Sequence, residues 1–460
     1  MNPEFQRNLW LELSPRRLIL MSVLLALAFG ASALSAGEGY TVADTARWLY
    51  YAIVVGWGTR NAATAVVGEI RDRTWDMQLL SALPPGAMMW GKLFGSTSFN
   101  WFGGAICLVV ILGDAAAHQG VAAAAIGLVY YLAVGVIAQA AALLASLVAV
   151  RRRHAHSRLD VFVYQAVGIA AALAVYWVWS IVDPASALLA RKPATDFIVW
   201  WGATLDARGF LIVSLAAFAA WIVSGCYREM RLELKMRNGS AVWLGFLVFI
   251  GLYVAGFDAW LEKDKLMAGY DAVALRLLLA MTAYAVLSYL MVILEPKDRV
   301  QYRWLGSQLS AAHLGAFFAG LQAWMMAYAA ALICAGALIA RLELAHPGVQ
   351  TDAALIAAGI GFLTRDMALF VLMRSRPGRR GDLATLGILF ALYVLAPAIL
   401  KGLGFANLLL LFFPQPDAPS WVGAGFAWAE GVGVAALAFS RASIRRSSAG
   451  RSEPSPASWR

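Results

Sequence analysis

Residues 68–92 read GEIRDRTWDMQLLSALPPGAMMWGK, a polar island between two apolar runs. Glu69, Arg71, Asp72, Arg73 and Asp76 crowd into its first third. The apolar runs before and after it cover residues 48–67 and 92–112. Each is about as long as a helix must be to cross the hydrocarbon core of a bilayer. Further runs of this kind lie near 16–36, 121–150, 159–182, 208–226, 241–257, 272–294, 320–340, 353–373, 384–400 and 421–440. The 460-residue chain is 61% hydrophobic and 14% charged, whereas soluble domains carry about 25% charged residues. Lipid leaves unpaired backbone groups unsatisfied, so spanning segments must be helices or closed barrels. These runs are too long and too evenly apolar for barrel strands. The expectation is an all-α polytopic integral membrane protein with about twelve transmembrane helices.

Charge placement predicts orientation. With the N-terminus inside and the spans alternating, inside segments hold about three times as many Lys and Arg residues as outside segments, while acidic residues divide evenly. This bias puts both termini in the cytoplasm of an integral plasma membrane protein, with the bacterial inner membrane as the setting. The net charge of +10 then reads as topology and contact with the anionic headgroups of the lipid bilayer. Nucleic-acid binding would need a basic folded domain, and no polar stretch is long enough for one. The first span is read as retained rather than as a cleaved signal. Cys107, Cys226 and Cys334 fall inside spans as packing residues, so no disulfide, metal or cofactor is expected.

The chain also reads as duplicated. Glu69, Asp72, Arg73 and Leu79 follow the second run, and Glu295, Asp298, Arg299 and Leu305 follow the eighth at a constant offset. Two six-helix halves are expected, 1–238 and 239–460. The first carries a cytoplasmic segment at 68–92, and the second a weaker counterpart at 295–311. Short apolar runs at 197–201 and 405–417 are too short to cross and suit re-entrant or interfacial helices on the outer face. Residues 3–15 place Phe5, Leu9, Trp10 and Leu13 on one face, as in a helix lying in the interface. The basic tail 441–460 is rich in Ser, Arg and Pro and predicts disorder.

Read as a helix continuing to Leu83, residues 69–76 align Glu69, Asp72, Arg73 and Asp76 as one stripe. Pro84-Pro85 must then end it. The stripe is either a solvated face of local ion pairs, Glu69–Arg73 and Arg73–Asp76, or a docking surface with Trp75 as its aromatic anchor. The order Glu69, a charged turn, Thr74-Trp75-Asp76, Leu79-Leu80-Ser81-Ala82-Leu83-Pro84 and Gly91-Lys92 resembles the permease subunits of type-2 ABC exporters. The resemblance covers residues 61–95 in detail and the topology broadly. It implies that Glu69, Arg71, Asp72, Arg73, Trp75 and Asp76 contact a separate ATP-binding cassette ATPase subunit. With both halves fused in one chain, two copies of that subunit are implied, the second meeting Glu295, Asp298 and Arg299. The second segment lacks the Leu-Pro turn and the Gly-Lys pair.

Two other patterns overlap this segment. Gly86 to Lys92 has the spacing of a phosphate-binding loop, but Leu93 stands where Ser or Thr must bind Mg²⁺, and prolines precede it instead of a strand. The chain is therefore not expected to be an enzyme or to hydrolyse ATP itself. Gly68-x-x-x-Asp72-Arg73 resembles the loop of major facilitator transporters, which keeps an ion-gradient-driven secondary transporter as the alternative. Inside the spans, Arg60 with Asn61 beside it and Glu430 are expensive charges and dipoles. An Arg60–Glu430 contact across the halves is the expectation for them. Asn100, Gln139 and Gln165 are read as interhelical hydrogen-bond formers, and Gly91 and Gly95 as points of close packing.

Overall fold

The computed structural model describes residues 2–35, 41–81, 83–151, 158–182, 196–236, 238–262, 270–295, 299–345, 351–374, 381–415 and 420–449. Eleven helices among them are long and apolar enough to cross a membrane. The chain is thus a helical polytopic membrane protein. It divides into two compact units, one of Met1–Val199 with Ala203–Asn238, the other of Trp200–Gly202 with Gly239–Arg460.

The first unit contains α1 (Pro3–Glu12), α2 (Pro15–Leu34), α3 (Val42–Tyr50), α4 (Gly58–Arg71), α5 (Trp75–Leu79), α6 (Pro85–Trp90), α7 (Ser98–Gln119), α8 (Val121–Arg151), α9 (Arg158–Val182) and α10 (Ala207–Glu233). α8 is its axis, packed by α4, α7, α9 and α10. The apolar run at 48–67 is the one absent from the eleven: Arg60, Asn61 and Thr64 make its second half polar, and a π-helical segment, Tyr51–Trp57, joins α3 to α4 within it. A π turn releases backbone carbonyls from their usual partners, and in lipid these must be satisfied by side chains. Asn100 of α7 donates to the Ile53 carbonyl at 3.0 Å. Gln139 of α8 donates to Val54 at 3.1 Å, and Gln165 of α9 donates to Gly56 at 2.9 Å. Thr59 donates to Val55. The amide oxygens are used as well: Trp101 donates to Gln139 and Asn61 donates to Asn100. Asn61 is therefore an interhelical tie.

The second unit contains α11 (Ala241–Ala255), α12 (Asp258–Glu262), α13 (Ala272–Leu294), α14 (Arg299–Ser310), α15 (Leu314–Gly320), α16 (Ala323–Ala345), α17 (Thr351–Arg374), α18 (Gly381–Phe390), α19 (Ala396–Gly402) and α20 (Trp421–Ala449). α17 is its most buried span. It crosses α20 where small residues allow backbones to touch. A Cβ on Gly361 would lie 2.9 Å from Ala427, and one on Gly431 would lie 3.0 Å from the Gly361 carbonyl.

Two of three expectations outside the spans change. Residues 197–201 form part of a β-hairpin, Phe197–Trp200 with Ala203–Asp206, instead of a short helix; Trp201 and Gly202 adopt positive φ at its turn. Residues 406–411 do form a short 3-10 helix. The start of the tail continues α20 as helix to Ala449, and the remainder lies outside the described residues.

If the amide ties hold the π-helical segment, Gln139→Leu strands the Val54 carbonyl and the Trp101 indole. A loss of about 1–3 kcal/mol follows, read as a lowered unfolding midpoint in detergent; an unchanged midpoint would mean those groups find other partners.

Candidate functional site

The continuous helix expected from 68 to 83 does not form. α4 ends at Arg71, and Arg73 takes a left-handed conformation, φ 58°. Its N–H bonds the Ile70 carbonyl at 3.2 Å and that of Thr74 bonds the Glu69 carbonyl at 2.9 Å. This pair of bonds is the Schellman closure of a helix end, with Arg where glycine is usual. α5 then restarts at Trp75, turned away from α4, so Glu69, Asp72, Arg73 and Asp76 no longer share a face.

Glu69 faces inward. Its carboxylate is bonded by the ammonium of Lys92, by Arg7 at 2.5 Å and by Gln78 at 2.6 Å. Neither Glu69–Arg73 nor Arg73–Asp76 is a pair. Lys92, only 1% exposed, also holds Glu4 at 2.8 Å, and Arg7 closes the ring to Glu4 at 2.9 Å. Two cations and two carboxylates thus form one neutral cluster, buried at Lys92 and Glu4 and open to solvent at Arg7. Asn8 donates to the Glu4 carboxylate at 3.0 Å.

α1 forms where a helix was expected and is docked on the protein through its polar residues. Asn2 caps it, accepting from the Glu4 and Phe5 N–H groups, and reaches the Ala87 carbonyl at 2.6 Å. Its polar residues Glu4 and Asn8 are buried, while Trp10 and Leu11 are exposed. The approach depends on glycine. A Cβ on Gly91 would meet Glu4 Cγ at 2.6 Å, and one on Gly95 would meet Asn8 Cβ at 2.7 Å. Burial alone would raise the Glu4 carboxyl; Lys92 and Arg7 overcome it and hold the group below its ordinary value.

Trp75 is 6% exposed, packed with Val66, Met88 and Leu93 in an apolar cluster and lying 5.9 Å under the Lys92 ammonium. It anchors the segment to the protein and is not a free docking residue. What faces out is the tip: Arg71, Asp72, Arg73, Asp76, Met77 (75% exposed) and Leu80 (88%). Asp72, Arg73 and Asp76 have no ion pair among the described residues.

In the second unit Glu295 plays a related part by other means. It accepts from the N–H groups of Ala323 at 3.0 Å and Trp324 at 3.2 Å, capping the start of α16. Gln301 on α14 accepts from Gln322 at 3.1 Å. Glu69 and Glu295 therefore each tie the end of one spanning helix to the start of the next across a polar excursion. Arg299 begins α14; its side chain, and Asp298 altogether, lie outside the described residues.

The intramembrane charges of the second unit form a network of their own. Glu430 is bonded by Arg365 at 2.9 Å. Arg365 also meets Asp366 at 3.1 Å, and Tyr289 and Tyr393 donate to Asp366 at 2.6 and 2.7 Å. The Arg365-Asp366 pair in an apolar run was the missed signal; two adjacent opposite charges in a spanning segment predict a satisfied buried network. Arg60 is exposed and lines a groove of the first unit. Among the described residues no group of three His, Cys, Asp or Glu side chains is placed to share a metal ion. Comparison of the chain with protein-family models, curated proteins and solved structures found no match.

Lys92→Met leaves Glu4 and Glu69 to share Arg7 and should cost about 3–5 kcal/mol of stability, with α1 amides losing hydrogen-exchange protection; protection equal to wild type would show that the cluster does not hold α1. Because the folded-state Glu4 value is depressed, its contribution is present above the ordinary carboxyl value, about 4.3, and lost on acidification below it. α1 should thus stay protected at pH 6 and open below about pH 4, measured by the same exchange experiment.

Proposed function

We propose that this chain is the membrane permease subunit of an ATP-driven type-2 ABC exporter, with both halves fused and energy supplied by separate ATP-binding cassette subunits. In this reading the tip at residues 71–80 lies in the cytoplasm, as the Lys and Arg bias predicts, and is where the ATPase subunit presses. The observation that carries it is the contrast within one segment. The base, Glu69 with Lys92, Arg7 and Glu4, is fully paired around the buried Lys92 and Glu4. The tip offers unpaired Asp72, Arg73 and Asp76 beside exposed Met77 and Leu80. A rigid base under an unpartnered mixed surface suits a part that receives force and passes it to two spanning helices. Contact residues are then Arg71, Asp72, Arg73, Asp76, Met77 and Leu80, with Glu69 and Trp75 as supports. The segment from Glu295 through α14 is the second, weaker contact. The setting is a bacterial inner membrane with both termini inside.

The alternative, a secondary transporter, draws on Arg365, Asp366 and Glu430. One guanidinium between two carboxylates leaves a negative excess inside a span, which an ion-driven carrier can use.

The test is co-purification from cells with the ATPase subunit. Asp72→Lys with Leu80→Asp should abolish it while leaving the unfolding midpoint within about 0.5 kcal/mol of wild type, as for surface changes. Arg73→Gly relieves the left-handed strain and should stabilise the fold by about 1 kcal/mol yet weaken capture. Transport persisting without any ATPase partner, and lost in Asp366→Asn, would favour the ion-driven carrier instead.

A further inference from the structure

Between α4 and α9 lies a groove of about 430 Å³, lined by Arg60, Thr64 and Arg71 on one side and Val161, Phe162 and Gln165 on the other. The spacing of the three α4 residues, four and then seven, keeps them on one helix face. Val161 and Phe162 belong to the first turn of α9, so the groove opens where α4 ends and α9 begins. Arg71 stands at that mouth. Arg60 lies about three turns further in, within the apolar run, exposed and without an ion-pair partner among the described residues.

Nothing in the groove answers that charge. The Thr64 hydroxyl bonds back to the Arg60 carbonyl at 3.0 Å, and the Gln165 amide donates to Gly56 at 2.9 Å. Among the described residues that line it there is no carboxylate. A guanidinium at this depth is unfavourable unless an anion or water meets it. The other wall supplies a different kind of surface, with Phe162 67% exposed and Val163 beside it on the outer side of α9 also exposed. An unpaired cation in a slot with an apolar flank complements a molecule that has a phosphate at one end and a hydrocarbon chain beside it.

We propose that this groove binds an acidic phospholipid of the leaflet in which α4 ends. Arg60 faces its phosphate, and an acyl chain runs along Phe162. The inference needs only that the first unit spans a bilayer and is independent of the ATPase reading.

The experiment is native mass spectrometry of the full chain released from detergent, titrated with phosphatidylglycerol or with phosphatidylcholine. Wild type should retain phosphatidylglycerol preferentially. Arg60→Gln should lower that retention about five-fold, the equivalent of one cation–lipid contact. Thr64→Phe keeps both arginines but fills the slot, and should lower it as much; if Arg60→Gln fails to fold, this variant decides alone. Inorganic phosphate in excess should not compete. Equal retention of the two lipids, undiminished retention in Thr64→Phe, or displacement by inorganic phosphate alone, which would assign the slot to a soluble anion, would each overturn the proposal.

Discussion

Lys92 is a cation with almost no access to solvent, and it must keep its carboxylates. Removing a buried ammonium from water is tolerable only when its partners are fixed and close. Glu4 and Glu69 meet that need from two directions, and Arg7 balances them. The consequence is architectural. α1, the end of α4 and the segment leading into α7 become one block, because each contributes a charge that the others neutralise. Gly91 and Gly95 permit the approach, since any side chain there would collide with α1. A ten-residue helix is marginal by itself in water; α1 persists here by docking.

The same economy of polar groups recurs through the protein. The π-helical turn at Tyr51–Trp57 exposes carbonyls that Asn100, Gln139 and Gln165 then satisfy from three neighbouring helices. In the second unit, Arg365, Asp366, Glu430, Tyr289 and Tyr393 form a network at the crossing of α17 and α20, where Gly361 and Gly431 bring the backbones together. Such networks fix helix register in an apolar solvent where packing alone discriminates poorly.

Much of the fold was legible in hydropathy, because length and apolarity are what a bilayer selects. Eleven of the expected spans are helices of the required length. The second, read at 48–67, is helical too but is less apolar because it carries Arg60 and Asn61, and the π turn within it leaves no mark in composition. The polar island was misread at its centre. Periodicity through residues 69–76 assumed an unbroken helix, and Arg73 in a left-handed conformation is not a residue type that announces a break. That single dihedral takes Asp76 off the face that Glu69 occupies and redirects Trp75 to pack beneath Lys92. Long-range pairs were beyond the pattern altogether: Glu4 and Lys92 are far apart in sequence, and nothing in the run 353–373 tells which residues meet Arg365 and Asp366. The hairpin at 197–206 shows the converse limit, since a short apolar run specifies burial but not backbone.

The central claim is that the tip of this segment, carried on the ion cluster, meets an ATP-binding cassette subunit. The most direct measurement is site-specific photo-cross-linking in cells from position 77, where Met77 is exposed, and from position 66, where Val66 is buried. The account predicts a cross-link to an ATP-binding cassette ATPase from 77 and none from 66. Active transport with no ATPase captured from position 77 would contradict it.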